Sequence, residues 1–419
     1  MGAFVIHGGK PLMGSALISS SKNAILPILS ACLLTDEECL IRQIPGLDDV
    51  SEMCKLISDL GASVKVNGRS RKITISARSL TGHTAGYELV SKLRASFLVM
   101  GPLLARAGTA KVALPGGCPI GSRPVNLHLK GFEAMGAIIE NGHGFIEAHC
   151  PDKKLHGATI YLDFPSVGAT ENLLTAAVLA EGRTIIENAA SEPEIVDLAS
   201  FLTKMGAKIF GAGTDTITID GVDQVNGAEH TIMPDRIEAG TFMTAAALTG
   251  GDIILKNVVP EHLKPVTAKL RESGIEIIEG NDTIRVRGKS RPMALDIKTH
   301  PFPGFPTDMQ AQLSAYTCFA EGTSVIVETI FENRFMHVNE LRRMGAQIRV
   351  DGRTAIIEGM ETLQGAQVRA TDLRAGAALV IAGLAATGTT EVLDIHHIDR
   401  GYEFIENKLQ RLGADIQRV

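Results

Sequence analysis

A cysteine in a loop rich in glycine and proline is the first feature of this sequence that could do chemistry. Residues 115–124 contain three glycines and three prolines, and Cys118 stands five residues before Arg123. Glycine lets backbone N–H groups approach a ligand, and an arginine near a thiol favours thiolate or proton-donor chemistry. The segment therefore predicts a mobile, reactive loop, and the alternative is an ordinary surface loop with an incidental cysteine.

Charged residues also precede several very apolar segments. Lys22, Arg94 and Arg236 stand just before such segments. If each segment is a helix, its unpaired N–H groups favour an anion, whereas a basic residue there opposes the helix dipole. Capping therefore does not explain these cations, and we interpret them as anion-binding residues. Asp308 and Asp372 stand at equivalent positions, where ordinary N-capping also fits and is compatible with catalysis.

An internal repeat supplies the elements that must position these residues. A glycine followed by alanine or isoleucine recurs at intervals of 75, 70, 68, 71 and 68 residues. The glycines are Gly61, Gly136, Gly206, Gly274, Gly345 and Gly413. An apolar residue at helical spacing precedes each glycine and strand-forming residues follow, which predicts a helix that ends at the glycine. Six such units account for nearly the whole chain.

Each unit has the same predicted order of elements. A short strand leads into an inner helix, then come a strand, an amphipathic helix and a closing hairpin. The clearest inner helices are expected at residues 24–34, 169–179, 239–248 and 375–386. Because they are apolar on nearly every face, they should be buried on all sides. A chain of 419 residues fits two domains, so we expect an α/β (α+β) fold with three repeats in each of two lobes.

Composition excludes several classes of function. The net charge is −6, which disfavours a protein whose main partner is a nucleic acid. The six cysteines form no CxxC pair and match neither a zinc site nor a disulfide framework. There is no apolar run long enough to span a membrane and no sign of a secretory signal. We therefore expect a cytoplasmic protein.

At this point nine segments resemble those of a known family. They are residues 21–24, 93–96, 114–124, 166–170, 234–238, 305–310, 331–336, 371–374 and 397–402. Over essentially its whole length the chain resembles the UDP-N-acetylglucosamine 1-carboxyvinyltransferases, which are bacterial enolpyruvyl transferases. The resemblance implies a two-lobed inside-out α/β barrel of six βαβαββ repeats, with substrates bound between the lobes. The first lobe would be residues 22–232, with the Cys118 loop, and the second residues 1–21 plus 233–419, with Asp308.

The resemblance also implies a reaction. The enolpyruvyl group of phosphoenolpyruvate would pass to the 3-hydroxyl of UDP-N-acetylglucosamine, by addition and elimination, with release of phosphate. This is the first committed step of peptidoglycan precursor synthesis, and it links the protein to cell shape and cell division. The family uses no metal and no organic cofactor. The expected partners are the two substrates and the covalent inhibitor fosfomycin, with no nucleic acid or membrane; a monomer is possible.

Residue roles follow from the same resemblance. Cys118 matches the proton donor and the site of fosfomycin alkylation, and Asp308 matches the general base. Lys22, Asn23, Arg123 and Arg400 match the residues around phosphoenolpyruvate, with Lys22 and Arg400 also counted as catalytic. The UDP-sugar contacts match Arg94, Arg123, Pro124, Val125, Asn126, Leu127, Phe164, Pro165, Ser166, Val167, Asp308 and Ile330. The supporting residues match Asp372, Arg374, Glu332 and Arg334.

Two other readings stay open on the sequence. One is the shikimate-pathway enolpyruvyl transferase, which shares the fold and the donor substrate but lacks this cysteine loop. The other is a catalytically silent relative that binds the UDP-sugar and regulates a partner. Such a homologue would not need Lys22, Cys118 and Asp308 together.

Overall fold

The structure is a computed structural model that describes residues 2–116, 120–121, 124–142, 144–289 and 291–419. Cys118 and Arg123, with the roles predicted for them, lie outside the described residues. The strands are β1 Ala3–His7, β2 Met13–Leu17, β3 Glu38–Arg42, β4 Ser63–Asn67, β5 Lys72–Ser76, β6 Thr84–Ala85, β7 Thr109–Ala113, β8 Ile138–Asn141, β9 Phe145–His149, β10 Thr159–Tyr161, β11 Arg183–Glu187, β12 Lys208–Phe210, β13 Thr216–Asp220, β14 Glu229–Thr231, β15 Asp252–Lys256, β16 Glu276–Glu279, β17 Thr283–Arg287, β18 Asp296–Lys298, β19 Thr323–Val327, β20 Gln347–Asp351, β21 Thr354–Glu358, β22 Gln367–Arg369, β23 Thr389–Leu393 and β24 Asp415–Arg418.

Helices alternate with these strands along the chain. The α-helices are α1 Lys22–Ala31, α2 Asp48–Asp59, α3 Tyr87–Val90, α4 Met100–Ala107, α5 Asn126–Ala134, α6 Val167–Ala177, α7 Pro193–Lys204, α8 Arg236–Leu248, α9 Lys264–Glu272, α10 Gln310–Thr317, α11 His337–Arg343, α12 Leu373–Ala385, α13 His396–Asp399 and α14 Ile405–Arg411. Short 3-10 helices lie at Cys32–Leu34, Arg94–Val99, Pro260–Leu263 and Thr307–Met309.

The strands of the described residues form six four-stranded sheets with one shared pattern. In each sheet the strand at one edge pairs parallel with its neighbour, and the other two pairings are antiparallel. In the sheet of β10, β11, β13 and β12, Ile160 lies opposite Ile186 in the parallel pair, and Ile186 lies opposite Ile217 in the antiparallel pair. All three isoleucines are buried, so one face of the sheet packs on the core. The predicted fold of six βαβαββ repeats is confirmed.

The repeated glycines end helices, as the sequence predicts. All six have a positive φ, between 90° and 109°, which only glycine adopts at little cost. The residue after each glycine donates its N–H to the carbonyl of the apolar residue that precedes the glycine at helical spacing. Ala62 donates to Ile57 at 3.1 Å, and Ala346 donates to Leu341 at 3.1 Å. This Schellman geometry satisfies carbonyls that would otherwise lack a partner at the helix end.

The inner helices are buried on nearly every face. In α8 every residue after Arg236 is buried, and in α12 burial continues from Leu373 to Leu384. Inner helices pack on one another: α4 on α6, and α10 and α8 on α12. Two inner helices begin with a 3-10 turn that the sequence did not predict. Leu93 and Pro306 precede these turns and provide no capping side chain, and the tighter i→i+3 bonds satisfy part of the helix start.

The chain folds as two compact units. The first unit is Ser20–Gly117 with Pro124–Met233, and the second is Met1–Ser19 with Pro234–Val419. Each unit contains three sheets. The second unit takes β1 and β2 from the start of the chain, and β14 completes a sheet of the first unit by pairing with β3. The sequence assigns the whole 115–124 loop to the first lobe, whereas Ile120 and Gly121 group with the second unit.

The cysteines of the described residues are buried and form no disulfide. They are Cys32, Cys39, Cys54, Cys150 and Cys318. Burial raises the pKa of Cys54 and of Cys150 to about 11, which keeps both thiols protonated and unreactive near neutral pH. In the part of the chain that the structure describes, every helix is too short or too polar to cross a membrane.

Candidate active site

Asp308 lies between two arginine side chains in the second unit. It belongs to the 3-10 turn that leads into α10. Its Oδ2 accepts a hydrogen bond from Nη2 of Arg374 at 2.8 Å, and its Oδ1 lies 2.8 Å from Nη2 of Arg334. The side chain of Asp308 is 25% exposed, whereas those of Arg334 and Arg374 are 6% and 3% exposed. The carboxylate can therefore be approached from solvent, while buried groups balance its charge from inside.

The two arginines decide the ionisation of Asp308. Burial favours the protonated carboxyl, but the guanidinium groups of Arg374 and Arg334 hold the pKa of Asp308 well below its ordinary value. Burial likewise opposes the charge of Arg374, but the carboxylate of Asp308 raises the pKa of Arg374. Asp308 is thus an anion across the neutral range. It can accept a hydrogen bond from a substrate hydroxyl, with a basicity that the two guanidiniums limit.

A buried glutamate supports the Arg334 side of this group. Nη1 of Arg334 donates to Oγ1 of Thr307 at 2.8 Å, and the Thr307 hydroxyl donates to Oε2 of Glu328 at 2.9 Å. Oε1 of Glu328 accepts the backbone N–H of Ile330 at 2.8 Å. Glu328 therefore positions two predicted site residues, Arg334 and Ile330. The sequence did not point to Glu328, because a glutamate at a strand end shows no sign of burial in sequence.

Asp372 and Arg400 belong to the same unit as this group. Asp372 caps α12, and its Oδ1 accepts the backbone N–H groups of Arg374 at 2.9 Å and of Ala375 at 3.0 Å. Burial, then the charges of His396 and Arg400, lower the pKa of His397, and Asp372 opposes them. Arg400 and Asp372 are thus both near His397. The structure therefore joins Asp308, Arg334, Arg374 and Asp372, and it places Arg400 near His397 in the same unit.

Glu332 contacts the described part of the cysteine loop. A Cβ atom added to Gly121 would lie 2.6 Å from Oε2 of Glu332. The backbone N–H of Asn333 donates to the carbonyl of Ile120 at 3.0 Å, and Ile120 is buried. Glycine at position 121 is therefore what allows the loop to approach Glu332 so closely. Glu332 therefore lies directly beside Gly121, in addition to the supporting role predicted for it.

In the first unit, Lys22 begins the inner helix α1. Its Nζ lies 2.7 Å from Oδ2 of Asp49, and the two side chains are 14% and 3% exposed. Ser21 caps α1 by accepting the N–H of Ala24 at 3.3 Å, and Asn23 follows Lys22 on the first turn. The ammonium group is thus partly accessible at a helix start, beside a buried carboxylate that the sequence did not reveal.

His128 occupies a buried polar position in the first unit, and its tautomer follows from its neighbours. Oδ1 of Asn172 accepts the backbone N–H of Gly101 at 2.7 Å. The amide nitrogen of Asn172 therefore donates to the carbonyl of Phe97 and to Nδ1 of His128, both at 3.0 Å. Since Nδ1 of the neutral ring accepts, the ring proton is on Nε2.

Arg94 and the starts of α5 and α6 converge on His128. A Cβ atom added to Gly168, in the first turn of α6, would lie 3.5 Å from Nε2 of His128. Burial and, to a smaller extent, the charge of Arg94 lower the pKa of His128 to about 3. His128 is therefore a neutral donor beside a cation and a helix start, an arrangement suited to an anion.

The remaining residues predicted to contact the UDP-sugar lie at the same helix starts. Val125 directly precedes α5, with Pro124 before it and Asn126 and Leu127 on the first turn. Ser166 caps α6 by accepting the N–H of Ala169 at 3.3 Å, and its own N–H donates to the carbonyl of Phe164 at 2.7 Å. Pro165 lies between Phe164 and Ser166, and Val167 begins the helix. The structure brings these residues together with Arg94, whereas Ile330 and Asp308 belong to the second unit.

Comparisons with known proteins give the chain its family. The profile of the family described as EPSP synthase (3-phosphoshikimate 1-carboxyvinyltransferase) matches residues 6–409. A UDP-N-acetylglucosamine 1-carboxyvinyltransferase 1 of Caldanaerobacter subterraneus is 58% identical over 99% of both chains. A UDP-N-acetylglucosamine 1-carboxyvinyltransferase 2 of Carboxydothermus hydrogenoformans is 59% identical over 100% of both chains. A UDP-N-acetylglucosamine 1-carboxyvinyltransferase 1 of Halalkalibacterium halodurans is 55% identical over 100% of this chain and 95% of its own. The chain belongs to the UDP-N-acetylglucosamine 1-carboxyvinyltransferase family.

Solved structures place this family member in the enolpyruvyl transferase fold. The enolpyruvyl transferase NikO from Streptomyces tendae superposes with a TM-score of 0.90 at 24% identity, over 100% of this chain and 99% of its own. An EPSP synthase from Acinetobacter baumannii superposes with a TM-score of 0.77 at 18% identity, over 100% of both chains. At these identities the likeness concerns the fold alone, and it agrees with the two-lobed α/β fold that the sequence predicts.

A cluster of three buried glutamates is a further feature of this carboxyvinyltransferase family member. Glu171 lies on α6, Glu194 on α7, and Glu192 just before α7, and all three are buried. Burial, then the charges of Glu194 and Glu192, raise the pKa of Glu171 well above its ordinary value. Among residues 2–116, 120–121, 124–142, 144–289 and 291–419, no group of three or more His, Cys, Asp or Glu is arranged to hold a metal ion.

Proposed function

We propose that this protein transfers the enolpyruvyl group of phosphoenolpyruvate to the 3-hydroxyl of UDP-N-acetylglucosamine and releases phosphate. Relatives of that name at 55–59% identity, matched over nearly their whole length, support the reaction. The observation that carries the proposal is Asp308, an ionised and partly exposed carboxylate between Arg334 and Arg374. Such a carboxylate suits a base that orients an attacking hydroxyl while buried cations balance its charge.

The reaction has two balanced steps. In the addition, the 3-oxygen of the sugar bonds to C2 of phosphoenolpyruvate, its proton passes to Asp308, and Cys118 gives a proton to the methylene carbon C3. In the elimination, the bond from C2 to the phosphate oxygen breaks, phosphate leaves with that electron pair and takes the proton held by Asp308, and C3 gives a proton back to the thiolate of Cys118. Each step needs one group that accepts a proton and one that donates it, which Asp308 and Cys118 supply.

Anion binding is the second task of the site. Lys22, Asn23, Arg123 and Arg400 would bind the phosphate and carboxylate of phosphoenolpyruvate. Lys22 suits this role because it is the first residue of the inner helix α1 and its side chain remains partly exposed. Oriented cations of this kind are usually the largest contribution to catalysis of reactions on such anions.

The UDP-sugar would bind to the helix starts of the first unit. Arg94 and His128 lie beside the first turn of α6, where Ser166 and Val167 present the helix start. The diphosphate is the part of the substrate that such a site attracts. The family resemblance adds Ile330 to the residues that contact the UDP-sugar.

The wider biological setting belongs to the same proposal. We place the protein in the cytoplasm, in peptidoglycan precursor synthesis and so in cell-wall growth, cell shape and division. Fosfomycin would alkylate Cys118, and the enzyme would need no metal or organic cofactor; two self-contained lobes permit a monomer.

The test is the release of phosphate from phosphoenolpyruvate by the purified protein. We expect release that depends on UDP-N-acetylglucosamine, does not occur with shikimate 3-phosphate, and stops after treatment with fosfomycin. A Cys118→Ser variant should turn over more slowly and resist fosfomycin. Release from phosphoenolpyruvate with shikimate 3-phosphate, but not with the UDP-sugar, would assign the protein to the shikimate-pathway enolpyruvyl transferases. A folded protein that binds the UDP-sugar but releases no phosphate would contradict an enzymatic function.

A further inference from the structure

Tyr402 lies at the centre of a buried hydrogen-bond network beneath Asp308. Its side chain is 1% exposed. Its hydroxyl lies 2.8 Å from Oγ1 of Thr241, and it accepts hydrogen bonds from Nε2 of Gln312 and from Nη1 of Arg374, both at 3.2 Å. Thr241 itself donates to the carbonyl of Ile237 at 2.8 Å. The Thr241 oxygen must therefore accept the phenolic proton, which leaves both lone pairs of the Tyr402 oxygen for Gln312 and Arg374.

This network fixes the inner side of Arg374. One guanidinium nitrogen, Nη1, donates to Tyr402, and the other, Nη2, donates to Oδ2 of Asp308 at 2.8 Å. The guanidinium carbon also lies 5.5 Å from the centre of the Tyr402 ring. A guanidinium has a planar, rigid set of donors, so an acceptor on one nitrogen sets the direction in which the other points.

The same network also holds the backbone at Asp308. Nε2 of Gln312 donates to the carbonyl oxygen of Asp308 at 2.9 Å as well as to the Tyr402 hydroxyl. Tyr402 thus reaches Asp308 by two routes, through the side chain of Arg374 and through the amide of Gln312. Both routes lie wholly within the second unit.

We infer that Tyr402 is a positioning residue for Asp308: its phenolic oxygen orients Arg374 and Gln312, which place the carboxylate for its reaction with the substrate hydroxyl. This inference rests on the proposed function. Tyr402 touches no reacting atom, so its contribution acts entirely through Asp308. A displacement of a reacting group by a fraction of an ångström is costly, and a buried donor left without an acceptor would cause one.

A double-mutant cycle of Tyr402→Phe with Asp308→Asn tests the inference. In the otherwise unchanged protein, Tyr402→Phe should lower kcat about tenfold, because it removes one hydrogen bond to a charged group. The KM values for both substrates should stay within about twofold. In the Asp308→Asn background the same change should have almost no effect on kcat, since there is no carboxylate left to position.

Tyr316→Phe is the matched control. Tyr316 is also a fully buried tyrosine of the second unit, and its hydroxyl bonds to Ser273 at 2.6 Å, not to the Asp308 group. Its substitution should give the same small change of kcat in both backgrounds. A second variant, Thr241→Val, removes the acceptor of the phenolic proton, and we expect it to lower kcat about threefold, an effect also absent in the Asp308→Asn background. This variant decides the question if Tyr402→Phe does not fold.

Two results would overturn the inference. One is an equal loss of kcat in both backgrounds, which would make Tyr402 merely structural. The other is a rise in KM with an unchanged kcat. Failure of the proposed function would look different, because the unsubstituted protein would then release no phosphate in the presence of the UDP-sugar.

Discussion

Carboxyl groups at the inner helices of the two units have opposite pKa shifts. In the second unit, Asp308 at the start of α10 has two arginines at 2.8 Å, and its pKa lies well below the ordinary value. In the first unit, Glu171 on α6 has its pKa raised well above the ordinary value by burial, Glu194 and Glu192. The repeat that supplies both helices is the same, so the fold alone does not set the charge of a buried carboxyl.

Glu238, in the second unit, shows how much neighbouring positive charge is needed to offset the burial of a carboxylate. Its carboxylate lies against Nζ of Lys408, yet burial still raises its pKa. Asp308, which is less buried and has two guanidinium partners, is shifted the other way. One ammonium group is therefore not enough to offset the burial of the carboxylate of Glu238. Two guanidinium groups are enough to offset the partial burial of the carboxylate of Asp308.

The largest effect should come from removing the carboxylate of Asp308. We expect Asp308→Asn to lower kcat by about 100-fold to 10,000-fold, because an amide cannot accept the hydroxyl proton. The KM for UDP-N-acetylglucosamine should change little. Steady-state release of phosphate measures both. Glu238→Gln, another buried position of the same unit, is the control and should keep most of the kcat, and a loss of sugar binding as large as the loss of kcat would contradict the role of base.

The next prediction removes one of the two arginines that pair with Asp308. Arg374→Met should destabilise the protein by about 3 kcal/mol at pH 7, since Asp308 then remains partly buried with one partner. The depressed pKa of Asp308 contributes stability above the ordinary carboxyl pKa of about 3.9, and this contribution is lost as the pH falls. The difference between variant and unsubstituted protein should therefore shrink below about pH 4. Urea unfolding at pH 7 and at pH 3.5 measures it, and a difference that does not depend on pH would contradict the pairing.

Two of the repeated glycines, one in each unit, allow the helix ends of the two units to be compared. A Cβ atom at Gly345, where φ is +96°, would meet nothing within 4 Å, whereas one at Gly61, where φ is +103°, would lie 2.6 Å from Ser79 O and Thr81 N. Gly345→Ala should cost about 1 kcal/mol for the backbone conformation alone. Gly61→Ala should cost about 2–3 kcal/mol, because backbone must also move. Thermal unfolding ranks the two, and equal costs would show that the close approach at Gly61 is unimportant.

The smallest effect tests the first unit by making a protein more stable. Glu171→Gln should raise the free energy of unfolding by about 1 kcal/mol at pH 8, because it removes the penalty for a carboxyl buried near two others. The native pKa of Glu171 is raised, so its cost appears as the pH rises above the ordinary glutamate pKa of about 4.3. The gain should vanish below that pH, where the carboxyl is protonated in both states. A variant that is less stable at pH 8 would contradict the contrast between the units.

Much of the fold was predictable because its signals are local. A glycine that must adopt a positive φ and an apolar residue at helical spacing are read within one turn of chain, so the helix ends at Gly61 and Gly345 follow from the sequence. The buried inner helices follow from an apolar composition on every face. The two 3-10 starts did not follow, because they depend on how the unpaired N–H groups find partners at Leu93 and Pro306.

The sequence by itself determined the repeat, its caps, its inner helices and the family to which the loops belong. Only the tertiary structure decided that Asp308 meets Arg334 and Arg374, which stand 26 and 66 residues further along the chain, and that Tyr402 lies beneath them. The physical reason is that the two kinds of feature depend on interactions over different distances along the chain. Helix ends and burial patterns depend on neighbours in sequence, whereas the charge of a buried carboxyl depends on which side chains the packing of separate helices brings within about 4 Å.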